Sequence, residues 1–258
     1  MIASDRPDIW DEIREALYKH VPKSQCVELF PHPGSGLGIL PKQHTSEIKA
    51  ALFEEAFRQA VEYVLNYMLT ARPFPDLPKL WEYVLLHETV LAGMFMEFGV
   101  FNGRSINYFS TLKPGHTIYG FDSFEGIPED WGPGAGICSA FKGACDRQGR
   151  LPDVNSNVVL VKGWFENSLP QFLDKHEGVC SFIHIDCDLY SSTHTVLYAL
   201  KDRIVPGTVI LFDEYFNYPG WKQHEYKAFQ EFIEDTGKQY EYIGYNERGV
   251  QVAVRITK

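Results

Sequence analysis

Two short apolar runs in this chain each end in a pair of acids. FIHI leads into Asp186 and Asp188, and VILF leads into Asp213 and Glu214. A run of that length, apolar without alternation, reads as a strand buried on both faces, the pattern of a parallel sheet. Acids at the C-terminal ends of such strands fall in the crevice where open α/β sheets bind ligands. Carboxylates gathered there repel one another and hold their protons more tightly, unless a cation sits among them. The pattern predicts a divalent metal site in a doubly wound fold.

The rest of the chain supports that alternation. Strands are expected at residues 96–100, 117–122, 158–163, 181–186 and 208–213. Helices are expected after the turn FNGRS and over SLPQFLDKH, 192–201 and 222–236. The closing stretch, YEYIGYNERGVQVAVRI, reads as a hairpin with its turn near 246–249. The expected architecture is α/β, a doubly wound, mostly parallel, seven-stranded sheet. Upstream, 5–20, 45–69 and 80–92 carry helical periodicity, while 31–41 and 73–78 are broken by Gly and Pro. Residues 1–92 are therefore expected to form an N-terminal helical cap beside a domain at 93–258. Segment 124–153 is too long and glycine-rich for a passive connection, and is expected to act as a lid.

Composition narrows the partners. A formal net charge of −10 excludes the basic face that nucleic-acid binding needs, and offers nothing to an anionic membrane. No apolar run reaches the length of a membrane span, and the N-terminal sequence lacks the form of a secretory signal, so a cytoplasmic protein is expected. The 5 cysteines match neither a disulfide framework nor a zinc spacing; Cys180 and Cys187 read as small core residues.

The first strand runs into EFGVFNGRS. Gly99 and Gly103 permit a tight turn and a close backbone approach. The spacing is not the dinucleotide fingerprint, so no pyrophosphate cradle is implied. Asp122 ends the second strand 19 residues after Gly103, where an acid can accept both ribose hydroxyls of a nucleoside. Glu97, inside the first strand, needs a partner: a ligand's ammonium group, or a buried ion pair with Arg104 or a lysine. Tyr215, Phe216, Tyr218 and Trp221 follow the second acidic pair, and read as a substrate wall or a subunit contact.

EFGVFNGRS, YGFDSFEGIPEDW, KGWFENSLP, HIDCDLYSST and LFDEY together resemble a class I S-adenosylmethionine-dependent methyltransferase, more narrowly the macrocin O-methyltransferase family. The resemblance covers residue 97 to the C-terminus. It implies S-adenosylmethionine as cofactor, with Glu97, Gly99, Gly103 and Ser105 at its methionine part. It implies Asp122 at the ribose beside Ser123 and Phe124, and Trp164 and Phe165 flanking the adenine. It places Asp186, Asp213 and Glu214 as metal ligands, Mg2+ being the expected ion, and Asp188 as general base. It also implies a homodimer. The sequence departs from the family pattern at Phe98, Phe101, Arg104 and Glu214. The acceptor expected is a hydroxyl of a sugar or small natural product. A hard cation would acidify that hydroxyl and Asp188 would take its proton; His184 and His194 are alternative bases. A nicotinamide-dependent oxidoreductase or a metal-dependent hydroxylase on the same fold are the competing readings.

Overall fold

A computed structural model describes residues 26–28, 39–41, 44–132 and 139–258. The chain divides into two compact units, 1–52 and 53–258. In the first, β1 (Cys26–Glu28) and β2 (Ile39–Pro41) pair antiparallel. The helix expected at 5–20 lies outside the described residues.

Helix α1 (His44–Tyr67) follows, as its periodicity predicts. It buries Ala56, Ala60 and Tyr63, spaced to share one helical face. After β3 (Arg72–Phe74), helix α2 (Leu77–Tyr83) begins at Asp76, whose side chain caps it by accepting the Lys79 N–H at 3.0 Å. A π-turn, Val84–Glu88, ends it. The alternating part comprises β4 (Met94–Phe98), α3 (Arg104–Leu112), β5 (Ile118–Asp122), β6 (Val158–Lys162), α4 (Phe165–Leu173), β7 (Cys180–Ile185), α5 (Tyr190–Ala199) and β8 (Val209–Phe212). Helix α6 (Glu225–Thr236) and the hairpin β9 (Tyr240–Asn246) and β10 (Val252–Ile256) close the chain.

The sheet has eight strands, in the order β3-β9-β10-β8-β7-β4-β5-β6, rather than the seven expected. The extra strand is β3, which pairs parallel with β9. It comes from the stretch expected to be a helical cap, and three residues around a proline carry too little periodicity to announce a strand. The central strands run parallel, and β10 lies antiparallel between β8 and β9, as the hairpin predicts.

Strand alternation divides the interior into two layers. Met96, Phe98, Ile183, Ile185, Ile210 and Phe212 face one side, against α1, α4, α5 and α6. Phe95, Phe182, Val209 and Leu211 face the other, against α2 and α3. This parity decides where the acids go. Glu97 stands directly across from His184 in the β4–β7 register, and His184 across from Leu211 in the β7–β8 register. All three belong to the α2–α3 side, and Asp213, two residues beyond Leu211, continues it. Glu214 starts toward the opposite side.

The expected aromatic wall is not a wall. Tyr215, Phe216, Tyr218 and Trp221 are all buried in the core. The Tyr215 hydroxyl shares a hydrogen bond of 2.6 Å with Tyr242, which shares another of 2.6 Å with Tyr63. Gln230 donates to Tyr215 at 3.1 Å. The network gives buried phenols the partners they need, and ties the chain after β8 to α1, α6 and β9.

Candidate active site

The C-terminal ends of β4, β5, β7 and β8 open into a cavity of about 820 Å3. That is within the range of small-molecule and cofactor sites. Gly99, Ser105, Asp122, Ser123, Trp164, Phe165, Asp186, Asp188, Asp213 and Glu214 all line it. Glu97, Gly103 and Phe124, also expected there, are not in the lining.

Glu97 and Phe124 lie beneath the surface, both completely buried. The Glu97 carboxyl accepts Ser105 Oγ–H at 3.0 Å and meets His184 Nδ1 at 3.0 Å. Its protein partners are therefore Ser105 and His184, not Arg104. Burial pushes its pKa up, and His184 pulls it partly back. Nothing in composition foretold this pairing; only the β4–β7 register, unreadable from one sequence, sets the two residues opposite each other.

Asp122 is a loop builder as well as a wall residue. One carboxylate oxygen accepts the N–H groups of Val100 and Phe101, at 2.9 and 2.8 Å, and the other accepts Phe124 N–H at 2.7 Å. The turn after β4 is thus folded around it. The two glycines of that turn serve different needs. A Cβ on Gly99 would fall 1.6 Å from the Asp186 carbonyl oxygen, so the close passage of two strand-end loops demands glycine. At Gly103, a Cβ would meet nothing nearer than 3.4 Å, and its φ of +79° at the start of α3 is the constraint.

Across the cavity the acids have a different setting. Asp186, Asp188 and Glu214 each bring one carboxylate oxygen to within 4.8 Å of the others. This is the one such cluster among the described residues. Asp213, expected among the ligands, stays outside it, and Asp188, expected to stand apart, takes its place. Asp213 instead faces the α2–α3 side, with Oδ1 3.9 Å from His184 Nε2. Asp188 reaches the cluster from a tight turn, with φ of +62° and Leu189 N–H donating to Cys187 O at 2.6 Å. Burial raises the pKa of all four acids, and each of Asp186, Asp188 and Glu214 is raised further by the Asp213 charge. Asp188 is pushed up to about 6.

Of the two histidines considered as bases, His184 is completely buried, and His194 stacks on Tyr198 outside the cavity lining. The long segment after β5 supplies Gly126, Ile127, Pro128, Glu129 and Cys145 to the cavity. It is held at several points, among them Ser191 Oγ–H donating to Glu129 at 2.5 Å and Lys162 Nζ donating to Gly149 O at 2.7 Å.

Residues 96–215 match the family described as a methyltransferase domain. This part of the chain, just under half of it, is similar to that family. A curated relative from Streptomyces olivaceus, 8-demethyl-8-(2,3-dimethoxy-alpha-L-rhamnosyl)-tetracenomycin-C 4'-O-methyltransferase, is 30% identical over 158 residues. The match covers 50% of this chain and 56% of that protein, so the chain spans little more than half the relative's length. Among solved structures, the calicheamicin methyltransferase CalS11 aligns with a TM-score of 0.55 at 22% identity, over 83% of this chain and 92% of that one. The O-methyltransferase NovP aligns with a TM-score of 0.51 at 20% identity, over 70% and 79%. At these identities the two structures establish the Rossmann-like methyltransferase fold.

The residues of this site suit the groups the fold implies. S-adenosylmethionine carries a sulfonium and an ammonium charge. The charged side chains of the cavity wall are acids apart from Arg104, and Trp164 and Phe165 offer flat apolar surface. A cation suits the acid cluster. Glu214 Oε2 is buried with no hydrogen-bond partner, and three carboxylates face one another without a basic side chain among them. Oxygen donors of this kind favour a hard ion such as Mg2+.

Proposed function

We propose that the protein is an S-adenosylmethionine-dependent O-methyltransferase acting on a hydroxyl of a sugar or small natural product, with a divalent cation, Mg2+, at the acid cluster. The observation that carries this reading is the convergence of Asp186, Asp188 and Glu214 on one wall of a cavity whose other walls are the glycine turn, Asp122, Trp164 and Phe165. The relative from Streptomyces olivaceus, named for methylation of a rhamnosyl group, supports a glycosidic acceptor. The family match gives the nicotinamide alternative no support.

In this reading the β4 turn, Ser105 and Asp122 seat the methionine and ribose parts of the cofactor, and Trp164 and Phe165 cover its base. Asp186, Asp188 and Glu214 hold the cation, which supplies Lewis acidity to a bound hydroxyl. Asp188 then accepts the hydroxyl proton. With the cation bound, the carboxylate form of Asp188 is favoured, as a proton acceptor requires. Asp213 orients the site from behind, facing His184 rather than the ion. The described stretches 124–132 and 139–153 close over both ligands, Glu129 being pinned by Ser191. A homodimer completes the proposal, resting on the family resemblance, and sedimentation velocity tests the oligomeric state.

Calorimetric titration with S-adenosylhomocysteine, with and without Mg2+ and with NADH as control, tests the assignment. Micromolar binding of the homocysteine analogue and none of NADH is expected. Failure to bind the analogue in either condition would sink the methyltransferase reading.

A further inference from the structure

Glu225 was not singled out by its sequence context, yet it is the first residue of α6 and completely buried. Its Oε2 accepts the Glu214 N–H at 3.0 Å, and its Oε1 has no hydrogen-bond partner. The same carboxyl makes a weaker electrostatic contact with the N–H of Cys187, the residue between Asp186 and Asp188. One side chain therefore bonds the backbone of the Glu214 loop and bears electrostatically on that of the Cys187 loop, the two loops that deliver the acid cluster. Those loops need holding. Asp188 sits in the left-handed region at φ +62°, a conformation that costs a residue with a Cβ about 1–2 kcal/mol and persists only where its surroundings enforce it.

A helix-start acid would serve α6 equally well from an exposed position, through the helix dipole alone. Complete burial against two loops goes beyond that need. We propose that Glu225 is a positioning residue that sets the spacing of the cation-binding carboxylates by clamping the Glu214 and Cys187 backbones together. It touches neither ion nor substrate. The inference rests on the cation site proposed above, and concerns the geometry of that site rather than its charge.

Two substitutions separate reach from charge. Glu225→Gln keeps the length and an accepting oxygen but removes the charge. Glu225→Asp keeps the charge but withdraws the carboxyl by one methylene. Mn2+ is the probe, titrated calorimetrically into the full chain, with S-adenosylhomocysteine titrated in parallel and circular dichroism confirming the fold. E225D is expected to lose ten- to a hundredfold in Mn2+ affinity, the usual effect of losing a partner behind metal ligands, and E225Q less than threefold. Both should bind S-adenosylhomocysteine like the unsubstituted protein. The clamp is overturned if E225D binds Mn2+ unchanged, or if E225Q loses more than E225D. Amide hydrogen exchange gives a reading that needs no metal. The Glu214 N–H should exchange faster in E225D and stay protected in E225Q. If the unsubstituted protein takes up no Mn2+, the cation site fails and exchange alone decides: equal protection in E225D and the unsubstituted chain refutes the clamp. If E225Q does not fold, E225D decides by the same two measurements.

Discussion

The ends of β4 and β5 and the ends of β7 and β8 line the same cavity, and each carries carboxylates, but the two regions use them in opposite ways. Asp122 is met by three backbone N–H groups and shapes a turn around itself. Asp186, Asp188 and Glu214 meet mainly one another. A carboxylate surrounded by donors is structurally complete, whereas carboxylates that converge without donors await a cation or a proton. The pair Glu97–His184 joins the regions beneath the floor, reaching Ser105 on one side and Asp213 on the other. The difference teaches that an acid at a strand end is not in itself a ligand; what the backbone offers it decides.

The largest effect should come from the cluster. Asp188→Asn keeps the side-chain shape but cannot take a proton. Turnover is expected to fall by roughly a thousandfold at saturating metal, within the range for losing a general base. Affinity for S-adenosylhomocysteine, measured calorimetrically, should hardly change, because that ligand belongs to the other region. A fully active D188N would remove Asp188 from the chemistry and leave it as a cluster member only.

Next is Asp122→Ala, which acts on the turn. Three N–H groups lose their acceptor, and solvent reaches only part of the turn. A loss of about 2–3 kcal/mol in urea unfolding is expected, with S-adenosylhomocysteine binding at least tenfold weaker. Mn2+ affinity should be retained. An equal loss of Mn2+ affinity would show that the two regions are one coupled unit, and would point to the Glu97–His184 link as the coupling.

The contrast between these regions was half legible in the sequence. Apolar runs ending in acids announced the parallel sheet and its ligand-binding edge, because burial on both faces leaves few polar positions. The glycine turn and Asp122 were legible as a ligand pocket, but the three N–H groups held by Asp122 were not, since they depend on how the turn folds back. The exchange of Asp213 for Asp188 was hidden for a related reason. Adjacent strand residues face opposite ways, but the facing of a residue just past the strand end is set by the turn. Glu225 was invisible, because its role depends on a helix start docking against two distant loops. The aromatic run after Glu214 misled for want of register: Tyr215 pairs with Tyr242, far along the chain, rather than with a substrate.

The smallest expected effect is also the most direct test of the contrast, since it needs no substrate. Burial first, and then mutual repulsion, raises the pKa of Asp186 and Glu214 above the ordinary carboxylate range, and Asp188 is pushed up to about 6. The unfolded chain releases these protons near pH 4, while the folded chain keeps them to higher pH. Between those limits the folded state binds more protons than the unfolded state, so stability falls as pH rises. The contribution of Asp188 is thus fully present below the unfolded value and is lost as pH climbs through about 6, and those of Asp186 and Glu214 are lost at higher pH. A bound cation takes over the neutralising role of the protons. Mg2+ should therefore raise the melting temperature by several degrees at pH 7.5 and scarcely at pH 5, read by differential scanning fluorimetry. Asp122 belongs to the other region, where it holds the turn through backbone donors, so Asp122→Ala should lower both curves and preserve the gap between them. A Mg2+ shift as large at pH 5 as at pH 7.5 would mean that the cluster is already ionised there, and the two regions would then not differ in the way their geometry indicates.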